Sequence, residues 1–260
     1  MDVKILVATH KKYWMPEDDV YLPLHVGRDG RGDLGYVGDD TGENISAKNL
    51  SYCELTGLYW AWKNLTCDYI GLCHYRRYFA RTIWRRGLER KKKVILRRED
   101  YESLLRRYDM ILPVKRRYFI ETVRSHYGHA HNGRDIDDVG TVIEELSPEY
   151  SRAFADVMAR RSLYLLNMFV MKRSHFDDYC GWLFPLLSEL ERRVDISGYV
   201  GRQTRVFGFL GERLFNVWLE KQKLRKVEIP VINLENVNWP RKIASFLKRK
   251  VQGEQGGSWR

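Results

Sequence analysis

Long apolar runs are missing from this sequence. No stretch approaches the roughly 20 apolar residues that a bilayer-spanning helix needs, and even Leu163 to Met171 is interrupted by Tyr164 and Asn167. The N-terminus turns polar directly after Lys4-Ile5-Leu6-Val7-Ala8, too soon for a secretory signal. The expectation is a chain that neither spans a membrane nor is exported. Cysteine is scarce: Cys53, Cys67, Cys73 and Cys180 show no C-x-x-C spacing and sit among aromatic and aliphatic neighbours, as reduced core residues of a cytosolic protein do. No internal repeat is present. Acidic residues are outnumbered, 34 against 45 Lys and Arg, for a formal charge of +11. That excess favours anionic partners, whether nucleic acid, phosphorylated ligands or acidic lipid.

What is present suffices for a sizeable core. The 260 residues are 44% hydrophobic and 13% aromatic, which suits one large domain or a domain with an appended subdomain. Lys4 to Ala8 reads as a buried strand that opens at Thr9-His10-Lys11-Lys12 into a polar loop. The segment Met15 to Gly42 reads mostly as loop, with a short extended piece at Tyr21 to Val26. Leu55, Leu58, Tyr59 and Trp62 have the spacing of a helix face within Asn49 to Lys63, and Ser51 with Glu54 matches a capping box. Further strands are expected at Asp68 to Cys73, Tyr108 to Val114, Tyr164 to Met171 and Val227 to Ile232, and helices at Ser174 to Arg193 and Leu210 to Lys221. The order strand, loop, helix, strand begins an α/β sheet. The Gly-rich stretch Gln252 to Arg260 reads as a disordered tail.

Two blocks carry the chemistry. In Gly38-Asp39-Asp40-Thr41-Gly42-Glu43-Asn44-Ile45-Ser46, short polar side chains stand just before the helix from Asn49. They read either as an anion or sugar-hydroxyl site or as a plain turn. His74-Tyr75-Arg76-Arg77-Tyr78 closes a buried strand, where ligands of open α/β sheets bind. Arginine suits a diphosphate because its planar fork bonds two oxygens at once. Adjacent residues of an extended segment point to opposite faces, so the competing reading has one guanidinium at the ligand and the other on a carboxylate.

The run Arg81 to Arg98 holds nine cations against Glu89 alone, interleaved with Ile83, Trp84 and Leu88, and Trp239 to Lys250 repeats that pattern. A solvated basic face or an anionic membrane surface accounts for both. His126, His129 and His131, with Asp135, Asp137 and Asp138, lack a familiar zinc spacing and read as a polar loop. Glu212, expected near a helix start, reads as a dipole partner beside Arg213 or as a general base.

The stretches KILVATHKKYWMP, GDDTGENISAKNLSYCELTGLYWAWKN, DYIGLCHYRRYF, NMFVMKRSHFDDYCGWLFPLLSELERRVDIS and RVFGFLGERLFNVWL span most of residues 1 to 235. Together they resemble a family of bacterial capsular and exopolysaccharide synthesis proteins, long filed as a domain of unknown function and regarded as glycosyltransferases. The resemblance implies a glycosyltransferase A-like, Rossmann-type mixed sheet flanked by helices, with a helical C-terminal portion. Residues 1–235 would form one catalytic domain, with a donor-binding half to about 115 and an acceptor-side half beyond it, followed by a basic segment and flexible tail at 236–260.

In that picture Thr9, His10 and Lys11 lie near the nucleotide and Val26 and Gly27 beside the base. Many such enzymes carry an Asp-x-Asp metal site where this chain has His74-Tyr75-Arg76-Arg77. Arg76 and Arg77 are therefore expected to neutralise the departing diphosphate, with Glu212 as base. No metal ligand is assigned, although Mn²⁺ or Mg²⁺ stays open as a cofactor. Asp40, Asn44, Ser46, Asn49, Glu54, Tyr59, His74, Tyr75, Tyr78, Asn167 and Arg213 complete the expected substrate-binding set. The donor implied is a nucleotide sugar, a UDP-sugar of galactose or galactofuranose first among them, and the acceptor a lipid-linked saccharide. The setting implied is the inner face of the cytoplasmic membrane, reached through residues 81–98 and 239–250, with no nucleic acid as partner. The alternatives are a basic nucleic-acid-binding protein and a noncatalytic membrane-surface scaffold.

Overall fold

The computed structural model describes residues 1–235; the segment 239–250 and the tail from Gln252 lie outside the described residues. In chain order the elements are β1 (Val3–Thr9), β2 (Tyr21–His25), β3 (Val37–Gly38), α1 (Asn49–Tyr52), α2 (Leu55–Asn64), β4 (Tyr69–His74), β5 (Arg77–Phe79), α3 (Leu88–Lys92), α4 (Arg98–Leu105) and β6 (Met110–Pro113). They continue with β7 (Arg116–Arg117), α5 (Val123–Ala130), α6 (Arg134–Leu146), α7 (Ser151–Ala159), β8 (Ser162–Leu163), β9 (Phe169–Lys172), α8 (Arg173–Arg193), α9 (Val206–Lys221), β10 (Lys226–Ile229) and β11 (Val231–Asn233).

The main sheet runs β10-β6-β9-β4-β1-β2-β3, with β5 and β11 branching from β4. Strands β1, β2, β3 and β4 are mutually parallel, as are β6 and β10, whereas β9 pairs antiparallel with both β4 and β6. Because β9 alone is reversed in that row, the loop entering it lies at the edge where β1, β2 and β4 end. This is the fold class that the sequence implies.

Successive side chains of a strand leave opposite faces, and the core follows that rule. Leu6, Ala8, Ile70, Leu72, Phe169 and Met171 face one layer, packed by α2, α5 to α9 and their connections. Val3, Ile5, Val7, Cys73 and Val170 face the other, with Tyr21, Tyr78 and Tyr101. Buried on both faces over most of their length, β1 and β4 are mainly apolar and stand out as short apolar runs. Gly71 makes room for the neighbouring strand: a Cβ there would lie 2.8 Å from the Phe169 carbonyl and from Val170 of β9.

Four expectations are corrected. The single helix over Asn49 to Lys63 is two helices, broken at Cys53, whose φ of 54° lies in the left-handed region. The capping box at Ser51 and Glu54 does not form, since the Ser51 hydroxyl instead donates to the Lys48 carbonyl. The strand expected from Tyr164 begins only at Phe169, because Leu166 and Asn167 turn the chain with φ of 77° and 50°. Pro230, which has no N–H to donate, divides the last strand into β10 and β11.

Candidate active site

The ends of β1, β2 and β4 meet through backbone pairing. Thr9 faces His25, Ala8 faces His74, and the Tyr75 N–H donates to the Ala8 carbonyl at 3.1 Å. Beyond β1 the Thr9 hydroxyl donates to the Lys11 carbonyl at 2.6 Å and holds the polar turn in place. The His10 ring meets Tyr75 edge-on at 5.4 Å, and the Lys11 ammonium lies 4.9 Å from the same ring. Thr9 to Lys11 and His74 to Arg77 therefore share one rim.

The Asp-rich block forms the next wall, and Asp39, not Asp40, is its pivot. The fully buried Asp39 carboxylate accepts the N–H groups of Gly27 and Arg28 and the hydroxyls of Ser46 and Thr56. It thereby ties the loop after β2 to the approach to α1 and to the first turn of α2. Gly27, at φ 66°, touches Asn49 so closely that a Cβ would fall 2.4 Å from its side chain. The Asn49 amide donates to the Cys53 carbonyl and the Thr56 hydroxyl. Asp40 lies 3.7 Å from Arg28 and Asn44 closes its own turn onto Gly42 and Ser46, so much of this block is turn architecture.

Two carboxylates complete the site. Glu54 directly precedes α2 and accepts from the Asn167 amide at 2.9 Å. Glu212 lies in the second turn of α9, which starts at Val206, so it does not serve as the expected partner of a helix start. Its oxygens accept the Leu166 N–H at 2.7 Å and an Arg213 N–H at 3.0 Å. Its side chain remains 16% exposed and hence reachable. Burial raises the Glu212 carboxyl above its ordinary range; the Arg213 guanidinium opposes that and the Glu54 charge adds to it.

The three non-glycine residues with positive φ among the described residues are Cys53, Leu166 and Asn167; Leu166 and Asn167 donate to these carboxylates, and Cys53 directly precedes Glu54. Backbone held in such conformations clusters where a site must be rigid. The Asn167 side-chain oxygen is buried without a hydrogen-bond partner among the described residues.

The cations divide as adjacent residues of an extended segment should. Arg76 pairs with Glu235 at 2.6 Å, and Lys11 lies 3.9 Å from the same carboxylate. Arg77, half-buried, has no ion-pair partner among the described residues; burial and then the Arg76 charge lower its pKa, while Glu54 partly offsets both. His74 binds the Leu166 carbonyl through Nε2 at 2.7 Å, and burial holds its pKa down. Arg205, which sequence reasoning missed, donates to the Cys53 sulfur at 3.0 Å in the field of Glu54 and Glu212. This donor set, rich in guanidinium and with its imidazole already engaged, does not fit a divalent cation. Among the described residues no three His, Cys, Asp or Glu side chains are placed to hold a metal.

Other expected residues lie elsewhere. Tyr78 is a core residue whose hydroxyl donates to the Tyr75 carbonyl, and Val26 packs in the opposite layer. Tyr59 packs on Phe184 and donates to Glu43, away from the strand-end cluster. The three histidines diverge: His126 stacks on Tyr118, His129 meets Glu121 and His131 lies between Tyr127 and Phe209.

Residues 4–223 match the model of a family described as a domain of unknown function, DUF4422. Among solved structures, the apo form of WbbM, a bifunctional glycosyltransferase, is similar at 32% identity and a TM-score of 0.85, over 91% of this chain and 46% of that one. The chain thus spans less than half the length of that protein. A search of curated proteins finds no match. The mostly parallel sheet with helices on both faces is a glycosyltransferase fold, and with the family model covering residues 4–223 the chain belongs to the DUF4422 family.

Proposed function

We propose that the chain transfers a sugar from a nucleotide-sugar donor to a hydroxyl of a glycan acceptor. The observation that carries this reading is the half-buried Arg77, without an ion-pair partner among the described residues and in the field of Glu54, whose charge Glu212 also feels, at the edge where β1, β2 and β4 end. The likeness to a bifunctional glycosyltransferase supports it.

In the reaction, the acceptor oxygen attacks the anomeric carbon, gives its proton to a carboxylate, and the bond from that carbon to the diphosphate oxygen breaks. Glu212 is the base: its raised pKa strengthens it as a proton acceptor near neutral pH, and two donors fix its orientation. Arg77 meets the charge left on the diphosphate, in a site dry enough for that charge to be felt. Arg76, held by Glu235, positions the turn and joins the anion only if that pair opens. The finer assignment is a UDP-sugar, with galactose or galactofuranose, and a lipid-linked acceptor of cell-surface polysaccharide synthesis.

A calorimetric panel of nucleotide sugars, with and without Mn²⁺, tests the reading. Saturable binding of one donor, unchanged by Mn²⁺, is expected; binding of none of them would refute it.

A further inference from the structure

Two loops beside the site expose apolar side chains among cations. After β5, Trp84 is 83% exposed next to the exposed Ile83 and Leu88. Arg81 pairs with Asp100, Lys92 with Glu89 and Arg98 with Asp19, but Arg85, Arg86, Arg90 and Lys93 have no carboxylate partner among the described residues. After β6, Phe119 and Ile120 are 88% and 75% exposed, and Arg116 and Arg117 precede them on the surface.

Both loops connect to the strand-end site. The first is tied to it through α3, where Lys91 donates to the Asn233 carbonyl, and Glu235 two residues on binds Arg76. The second is tied through Tyr118, which stacks on His126 at 4.1 Å and feels the charges of Arg213 and Glu212. Single exposed apolar residues are ordinary on a protein surface. A tryptophan, a phenylalanine and an isoleucine, each near arginines without a carboxylate partner among the described residues and each tied to the same strand-end site, make a pattern.

We infer that these two loops dock the protein on an anionic phospholipid surface, Trp84, Phe119 and Ile120 entering the headgroup boundary and Arg85, Arg86, Arg116 and Arg117 binding lipid phosphates. Aromatic and aliphatic side chains flanked by cations are the chemistry of interfacial binding, and each cation near such a surface adds to the attraction. Charge also argues against the rest of the chain as the occupant: residues 236–260 carry six cations and one carboxylate. The inference goes beyond the transferase reading and does not depend on which donor the strand-end site takes.

Co-sedimentation of the full chain with phosphatidylcholine vesicles, with and without phosphatidylglycerol, tests it. Binding is expected only to the anionic vesicles and is expected to weaken as salt rises. Arg85→Ala with Arg86→Ala should lower the partition coefficient about 25-fold, at about fivefold per cation. Trp84→Ala with Phe119→Ala should lower it by about tenfold or more. Each double variant should keep the thermal midpoint of the parent, which shows that it folds.

Failure of the parent to bind anionic vesicles would overturn the inference, as would variants that bind as well as the parent. Random duplex DNA that displaces the protein from vesicles and binds more tightly would also overturn it, in favour of nucleic acid. Vesicle binding by a chain that takes no nucleotide sugar would support the docking surface and remove the transferase reading alone.

Discussion

At the scale of single residues, the site depends on two carboxylates that do opposite things. Asp39 is buried and fully bonded, so it builds; Glu212 is buried with its proton affinity raised, so it reacts. Replacing Asp39 by Ala strands two N–H groups and two hydroxyls, and chemical denaturation should show a loss of about 3 kcal/mol or more.

Glu212→Gln should instead reduce kcat by about 10²-fold or more. The acid limb of the parent's kcat profile should lie above the ordinary carboxylate range, because the base must be ionised and burial raises its pKa. The folded state therefore holds the Glu212 proton more tightly than the unfolded chain does. That contribution favours folding below the ordinary carboxylate range and is lost as pH rises through the raised value. Consequently Glu212→Gln should match the parent's thermal midpoint in acid and exceed it near neutral pH. A variant less stable than the parent at neutral pH would show that its hydrogen bonds, and not its charge, dominate.

At the scale of elements, what was legible followed from burial. Strands β1 and β4 are apolar on both faces and were plain in the sequence, as was α8, whose start differs from the expected Ser174 by one residue. The breaks were not. A cysteine at φ 54° and the pair Leu166-Asn167 have no composition that marks left-handed backbone, so one helix became two and a strand became a braced loop.

The sequence reading also assigned no helix between Val123 and Ala159. Ile136, Val139, Val142 and Ile143 carry the helical period there, but the surrounding His and Asp residues read as a polar loop. Asp39 was hidden for a related reason: beside Asp40 it differs only in what it touches, and neighbouring residues of one type are indistinguishable until packing selects one. The alternation of an extended chain offers the division between Arg76 and Arg77 only as the competing reading, both being expected at the diphosphate, and the partner Glu235 lies 159 residues away.

The contact of Gly27 with Asn49 joins the loop after β2 to α1. Gly27→Ala needs a β-carbon where Asn49 already stands and a φ that L residues avoid, and should cost about 2 kcal/mol or more in denaturant. It should also weaken donor binding, because the loop it displaces lies beside the proposed nucleotide.

At the scale of the whole molecule, the sheet order brings the chemistry together. Reversing β9 alone places the Leu166-Asn167 loop against Glu54 and Glu212 at the edge where β1, β2 and β4 deliver Thr9, His25 and His74. Residues far apart in sequence thus meet at one sheet edge, where guanidinium groups stand near two carboxylates. Among the described residues no helix is long and apolar enough to cross a membrane.

In the proposed reaction the Arg77 guanidinium at this strand-end site neutralises the donor's diphosphate. That role is tested most directly by titrating UDP and uridine, separately, into the parent and into Arg77→Ala by calorimetry. The substitution should weaken UDP binding by about 10- to 100-fold, the worth of one charge-assisted hydrogen bond, and leave uridine binding unchanged. Equal losses for both ligands, or undiminished UDP affinity, would contradict it.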